Sequence, residues 1–315
     1  MNPCLLCGKP VDNSTAAQWH PTCSKSFFGT TQVPYLELSE CTFEQLAAEA
    51  SLAGLTIPGV QKKLSLHLER EANRHKLTLV GYPTGYILKP QSKEYTQLPE
   101  LENMVMQLAD SARISTVPHA LIQLSDDSLA YISKRIDRIF SKKMVQKLPM
   151  EDFCQLSERL TEDKYRGSYE QCGAVLGQYS SRRMLDIINF WYLLVFCFIT
   201  GNSDMHLKNF SLYSPDGIHP VLAPAYDLLP VQLVLPLDTE ETALSLQGKK
   251  SRLKRDDFLH LAQHLGMDLH VGERMINRLA GQFGEFEHII DQSFISETLK
   301  SAMKDLVIQR LKRLT

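Results

Sequence analysis

Apolar positions along this chain change their rhythm near residue 149. Before it they alternate or cluster in short runs, and after it they recur at helical spacing. Leu64–Leu68 (LSLHL) alternates like a half-buried strand. Leu77–Val80 and Tyr86–Leu88 read as strands beside it, joined to each other through the turn Gly81-Tyr82-Pro83-Thr84-Gly85. Ala120–Leu124 and Leu129–Ile132 predict a hairpin across Ser125-Asp126-Asp127-Ser128. Two helices punctuate this region: Thr42–Leu52, with Thr42 as N-cap, and Leu101–Ala112. From Pro149 onward the spacing predicts helices over Met150–Leu160, Tyr169–Gln178 and Asp186–Ile199, then three amphipathic helices within 256–312. The C-terminal half of Asp186–Ile199 is apolar on every side, as a central buried helix must be. Phe210–Tyr213 and Pro220–Leu222 predict a hairpin around Ser214–Gly217.

Strand-rich sequence followed by helix-rich sequence defines an α+β chain with two lobes. The predicted division is 1–29 as a small knuckle, 30–133 as the strand-rich lobe and 134–315 as the helical lobe. The charged run Ser133–Arg138 at the junction is expected in solvent, with Arg135 and Asp137 facing the cleft as the alternative. Composition adds little: 43% hydrophobic and 22% charged residues are ordinary for a globular protein, and 315 residues suffice for a large core. A net charge of −2 offers no global attraction to nucleic acid or anionic membrane. The uninterrupted apolar run Phe190–Ile199 is too short to span a bilayer, and Met1–Cys4 opens no signal peptide. The cysteines number seven, an odd count, which suits the reducing cytoplasm better than a disulfide framework.

The candidate chemistry concentrates where the long apolar helix stops, at Thr200-Gly201-Asn202-Ser203-Asp204-Met205-His206-Leu207-Lys208-Asn209-Phe210. Asp204 and Asn209 have the D-x-x-x-x-N spacing of a protein-kinase catalytic loop, in which the Asp accepts a hydroxyl proton and the Asn holds Mg²⁺. Asp227, after the predicted hairpin, is the candidate second metal ligand, and carboxylate and amide oxygens are hard donors suited to Mg²⁺. Ala53–Lys63, containing Thr56, Gly59, Gln61 and Lys63, can drape backbone N–H groups and ammonium charge over ATP phosphates, although it is no Walker A loop. Lys89, at the end of a predicted strand, suits an ATP-phosphate lysine, and Glu102 on the following helix is its candidate partner. Near the N-terminus, Cys4-x-x-Cys7 and His20-x-x-Cys23 supply four N/S donors for a structural Zn²⁺. The basic run Lys249–Arg255 reads as a solvated face, with a nucleic-acid or partner contact as the alternative.

Several of these segments occur together in one known family. Gly59–Leu66, Ile87-Leu88-Lys89-Pro90, Arg135–Arg138, the Thr200–Phe210 string and Pro224-Ala225-Tyr226-Asp227 follow one another as in the HipA family of bacterial Ser/Thr protein kinases, which the sequence resembles from about residue 54 onward. The resemblance implies a two-lobed protein-kinase-like fold with ATP as donor and a protein hydroxyl as acceptor, known family targets being aminoacyl-tRNA synthetases. It implies Asp204 as catalytic base, His206 and Lys208 as groups that support the loop or meet the γ-phosphate, Asn209 and Asp227 as Mg²⁺ ligands, and Lys89 on the ATP phosphates. It also implies a toxin–antitoxin setting with HipB-like and small HipS-like partners, and contact with DNA only through the antitoxin. Residues 1–53 ahead of the phosphate loop are fewer than in full-length relatives, as in the compact HipT branch. Relatives autophosphorylate loop serines, whereas Thr56-Ile57-Pro58 stands there in this chain and makes Thr56 the candidate site. Two other readings stay open: a small-molecule or lipid kinase, and a non-catalytic partner- or DNA-binding module of the same fold.

Overall fold

The computed structural model describes residues 3–11, 18–36, 63–70, 75–78, 84–140 and 145–315. The predicted helix Thr42–Leu52 and most of the phosphate loop, including Thr56, Gly59 and Gln61, lie outside the described residues. The chain divides into two compact units. One comprises Met1–Met104, Val117–Arg138 and Gln292–Ile295, the other Val105–Thr116, Ile139–Asp291 and Ser296–Thr315.

The first unit is built on an antiparallel sheet of β1 (Leu64–Arg70), β2 (His75–Thr78), β3 (Tyr86–Lys89), β4 (His119–Gln123) and β5 (Leu129–Lys134), in the order β2-β1-β3-β5-β4. The strands after β1 do not pair with each other, as the sequence suggested. They flank β1 on its two edges: β2 pairs with His67–Arg70 and β3 with Leu64–Leu66. Seven residues give β1 the length to share its two halves between two neighbours. Leu64, Leu66, Leu88, Ala120, Ile122, Ala130 and Ile132 form one buried face. Onto the same core pack Leu5, Trp19, Phe27 and Phe28 from the N-terminal segment and the helix Pro21–Phe28.

The run expected in solvent at Ser133–Arg138 is largely folded in. Asp137 is buried, with Arg135 Nη2 at 2.8 Å and Arg138 on its other side. Two guanidinium groups on one carboxylate remove the reason for that charge to seek water.

In the second unit the helix Arg183–Ile199 is enclosed, with every residue from Phe190 to Ile199 buried. Trp191 Nε1 donates to the Phe258 carbonyl at 2.8 Å and Tyr192 OH to that of Ala112 at 3.2 Å, so the polar tips of the buried aromatics are satisfied. The helix predicted over Met150–Leu160 is not one element. Met150–Asp152 is a strand on Ser211–Tyr213, and only Phe153–Leu156 is helical. Asp152 sets that boundary, since its side chain accepts from Gln155 N at 2.9 Å while Gln155 Oε1 accepts from Asp152 N at 3.0 Å. Four helices, not three, close the unit: Arg255–His264, Leu269–Ala280, Phe283–Gln292 and Glu297–Leu314. Gly281 ends one, and Ser296 begins the last after Gln292.

Candidate functional site

The end of the central helix determines where the polar loop begins. Gly201 has φ +70°, Gly201 N donates to Phe198 O and Asn202 N to Cys197 O at 2.8 Å, the paired bonds of a Schellman cap. The left-handed backbone favours glycine here, and a Cβ, 2.6 Å from Leu306 Cδ2, would also have to push that side-chain tip aside.

Beyond the cap the loop is cross-tied to its own backbone. Asn202 Oδ1 accepts from Asp204 N at 3.1 Å, and Asn209 Nδ2 donates to the Asp204 carbonyl at 2.8 Å. The Asn209 amide is thereby oriented, and its Oδ1 makes no hydrogen bond among the described residues. Tyr165 OH donates to Asp204 Oδ1 at 2.8 Å from a loop 39 positions earlier in the chain. Lys164, beside Tyr165, accepts from Leu207 N through its carbonyl at 3.1 Å.

The strands Ser211–Tyr213 and Val221–Leu222 pair antiparallel, and Ala225 N donates to Ser115 O at 2.7 Å. Tyr226 OH donates to the Lys208 carbonyl at 3.1 Å. Asp227 follows with φ +61°, a left-handed conformation that is uncommon for a non-glycine residue and is often found at functional positions. It is half-buried, and its charge acts on Asp204, His206 and Tyr165.

Electrostatically this is a site with surplus negative charge. Burial raises the Asp204 carboxyl above the usual carboxylate range, and Asp227 and Asp238 push it the same way, while the Tyr165 hydroxyl and Lys164 work against them. Burial, aided by Lys164, brings His206 down to about 4, so this imidazole is neutral at pH 7. Its buried Nδ1 has no hydrogen-bond partner among the described residues. Lys208 Nζ lies 2.6 Å from Asp152 Oδ2 and is engaged there. The Asp227 carboxylate and the Asn209 Oδ1 are hard oxygen donors, the chemistry that suits Mg²⁺.

The first unit holds the other predicted group. Lys89 Nζ contacts Glu102 Oε1 at 2.7 Å and Oε2 at 3.0 Å, with side chains 7% and 2% exposed. Lys63 directly precedes β1 and is half-buried. Sequence reasoning missed Tyr165, Lys164 and Asp152. None carries a spacing that links it to residues 200–227, and only the folded chain brings them together.

These features define a class first: a strand-rich unit with a buried Lys–Glu pair and a helical unit with an Asp/Asn loop are the parts of a kinase-like α+β fold. A chain of the Shewanella oneidensis MR-1 toxin–antitoxin complex of HipA, HipB and operator DNA has this fold, with a TM-score of 0.67 at 17% identity over 86% of this chain and 70% of that one. The Helicobacter pylori proinflammatory kinase CtkA is similar at a TM-score of 0.53 and 15% identity, over 79% of this chain and 93% of that one. The chain belongs to the HipA-like C-terminal domain family, whose model matches residues 55–286. The Sinorhizobium fredii (strain NBRC 101917 / NGR234) protein named "Putative kinase Y4dM" is 34% identical over 238 residues, which is 70% of this chain and 56% of the relative. A Haemophilus influenzae protein named "Putative kinase" is 24% identical over 287 residues, 82% of each. The chain thus spans little more than half the length of Y4dM.

Proposed function

We propose that this chain is an ATP- and Mg²⁺-dependent kinase acting on a Ser or Thr hydroxyl of a protein. The observation that carries the reading is Asp204, fixed by Tyr165 at 2.8 Å and by its own loop, with Asn209 oriented beside it and the charge of Asp227 bearing on it. Asp204 then accepts the proton of the acceptor hydroxyl, a role that in general contributes ~10²–10⁴-fold. Asn209 and Asp227 are the residues that would hold Mg²⁺, which when bound neutralises charge developing on the phosphoryl oxygens. Lys89, oriented by Glu102, presents its ammonium to the phosphates, and Thr56, Gly59, Gln61 and Lys63 belong to the loop that would cover them. His206 offers an uncharged ring to the site. Lys208 acts by holding the loop to Asp152.

The fold shared with a HipA seen with HipB and operator DNA supports a toxin–antitoxin setting in the cytoplasm. There a HipB-like antitoxin would contact DNA, a small HipS-like protein would accompany the kinase, and an aminoacyl-tRNA synthetase would be a substrate whose modification slows translation. Direct DNA contact by residues 249–255 is disfavoured. Lys249 pairs with Asp257 at 2.6 Å, Lys250 with Glu240 at 3.2 Å, and Arg255 donates to the Leu314 carbonyl at 2.7 Å.

Phosphoproteomics after induction of wild-type and Asp204→Ala proteins tests the proposal. New Ser/Thr phosphosites should appear with the wild type alone, Thr56 among them if the loop is modified. Indistinguishable phosphoproteomes, or label found only in a small metabolite, would contradict it.

A further inference from the structure

The geometry points to a structural zinc ion held by Cys4 Sγ, Cys7 Sγ, His20 Nδ1 and Cys23 Sγ, which fixes the N-terminal segment on the strand-rich unit. These residues precede the segment that the family model matches. Their four donor atoms all lie within 4.8 Å of one another. Tetrahedral zinc with Zn–S near 2.3 Å and Zn–N near 2.05 Å requires S···N separations of about 3.6 Å. Cys7 Sγ and Cys23 Sγ stand 3.5 and 3.7 Å from His20 Nδ1.

The surroundings also select a metal. His20 Nε2 lies 3.0 Å from the Pro10 carbonyl, which can only accept, so the ring proton sits on Nε2 and the Nδ1 lone pair faces the sulfurs. Cys4 is fully buried beneath the turn, so its sulfur is shielded from water. Gly8, at φ +70°, closes the turn after Cys7, with Gly8 N on Cys4 O at 2.9 Å and Cys4 N on Lys9 O at 2.8 Å. His20 is the N-cap residue of the helix Pro21–Phe28, and Cys23 sits in its first turn. Four protein donors complete the tetrahedron, so the ion is structural.

The ion ties a turn to a helix, and both rest on the sheet. Leu121 N of β4 donates to Leu5 O at 3.0 Å. Phe27 and Phe28 lie against Tyr86 of β3, with centroids at 5.9 and 5.5 Å, and Trp19 packs on both phenylalanines. Metal removal should therefore loosen this aromatic cluster and leave the Asp204 loop, in the other unit, intact.

Full-length protein purified without chelator should contain about one zinc per chain by elemental analysis, and the cobalt-exchanged protein should show the intense visible d–d bands of a tetrahedral thiolate site. The Cys7→Ser variant, altered at an exposed position, should weaken the cobalt–thiolate absorption. Metal-free protein should show a lower first thermal transition and altered Trp19 fluorescence. Zinc below about a tenth per chain together with no cobalt d–d absorption would overturn the site. A weak octahedral cobalt spectrum would equally overturn this ligand set. Neither readout depends on phosphoryl transfer, so this inference and the kinase reading fail separately.

Discussion

The two units each contain a buried or half-buried aspartate, and the two are treated in opposite ways. Burial raises both carboxyls. At Asp137 the Arg135 and Arg138 guanidinium groups more than reverse it, and the carboxyl ends below its ordinary range. At Asp204 the neighbours include Asp227 and Asp238, and the carboxyl stays raised. Lys89–Glu102 repeats the first pattern, an ion pair closed within the protein. The Asp137 and Lys89–Glu102 sites balance their own charge, whereas the Asp204 site leaves negative charge in excess. The divalent cation and nucleotide of the proposed function would be its counterpart.

That contrast predicts mutational effects of opposite sign. Asp204→Asn should reduce phosphoryl transfer by ~10²–10⁴-fold or more in a labelled-ATP assay. The same substitution should leave the thermal midpoint at pH 7 unchanged or higher. A carboxyl whose folded pKa is raised binds more protons folded than unfolded, so it costs stability as pH rises through that range, and neutralising it removes the cost. Breaking the closed pair should do the reverse: Glu102→Ala, which takes the carboxylate partner from a buried lysine, should cost about 3–5 kcal/mol in urea unfolding. If both variants destabilised equally, the comparison would fail.

Smaller effects refine it. Gly201→Ala should destabilise by roughly 1–3 kcal/mol, because the added Cβ meets Leu306 and the left-handed backbone resists a side chain. Tyr165→Phe should change the maximal rate by less than about tenfold, in keeping with one hydrogen bond. Its diagnostic readout is the pH profile. The Tyr165 hydroxyl lowers the Asp204 pKa, so its loss should shift the acid limb of activity to higher pH. Acid stability should show the opposite linkage at Asp137. Its folded pKa is depressed, so its contribution is present above the ordinary carboxylate pKa and is lost as pH falls through the folded value.

Local sequence carried the elements whose cause is local. The helix ending at Ile199, the β4–β5 hairpin and the Asp204/Asn209 loop were readable because apolar period, turn residues and spacing lie within short windows. The order of β1, β2 and β3 was not, since which edge of β1 a strand takes depends on the whole sheet. Met150–Leu160 misled because its apolar spacing is helical while Asp152, as both strand end and N-cap, divides it. The run at 133–138 misled in another way: Arg135, Asp137 and Arg138 are neighbours in sequence, and only the local backbone conformation turns the two guanidinium groups onto the one carboxylate. Tyr165 was hidden by distance along the chain, its partner being 39 residues away.

The account rests on the Asn209 and Asp227 groups, beside Asp204, taking up a divalent cation with a nucleotide. Calorimetric titration of ATP into the wild-type protein and Asp227→Asn, each with and without Mg²⁺, measures this most directly. The account predicts wild-type binding that strengthens markedly with Mg²⁺, and in Asp227→Asn a Mg²⁺-dependent gain reduced by about tenfold or more. Equal affinities for the two proteins in Mg²⁺, or no dependence on the cation, would contradict it.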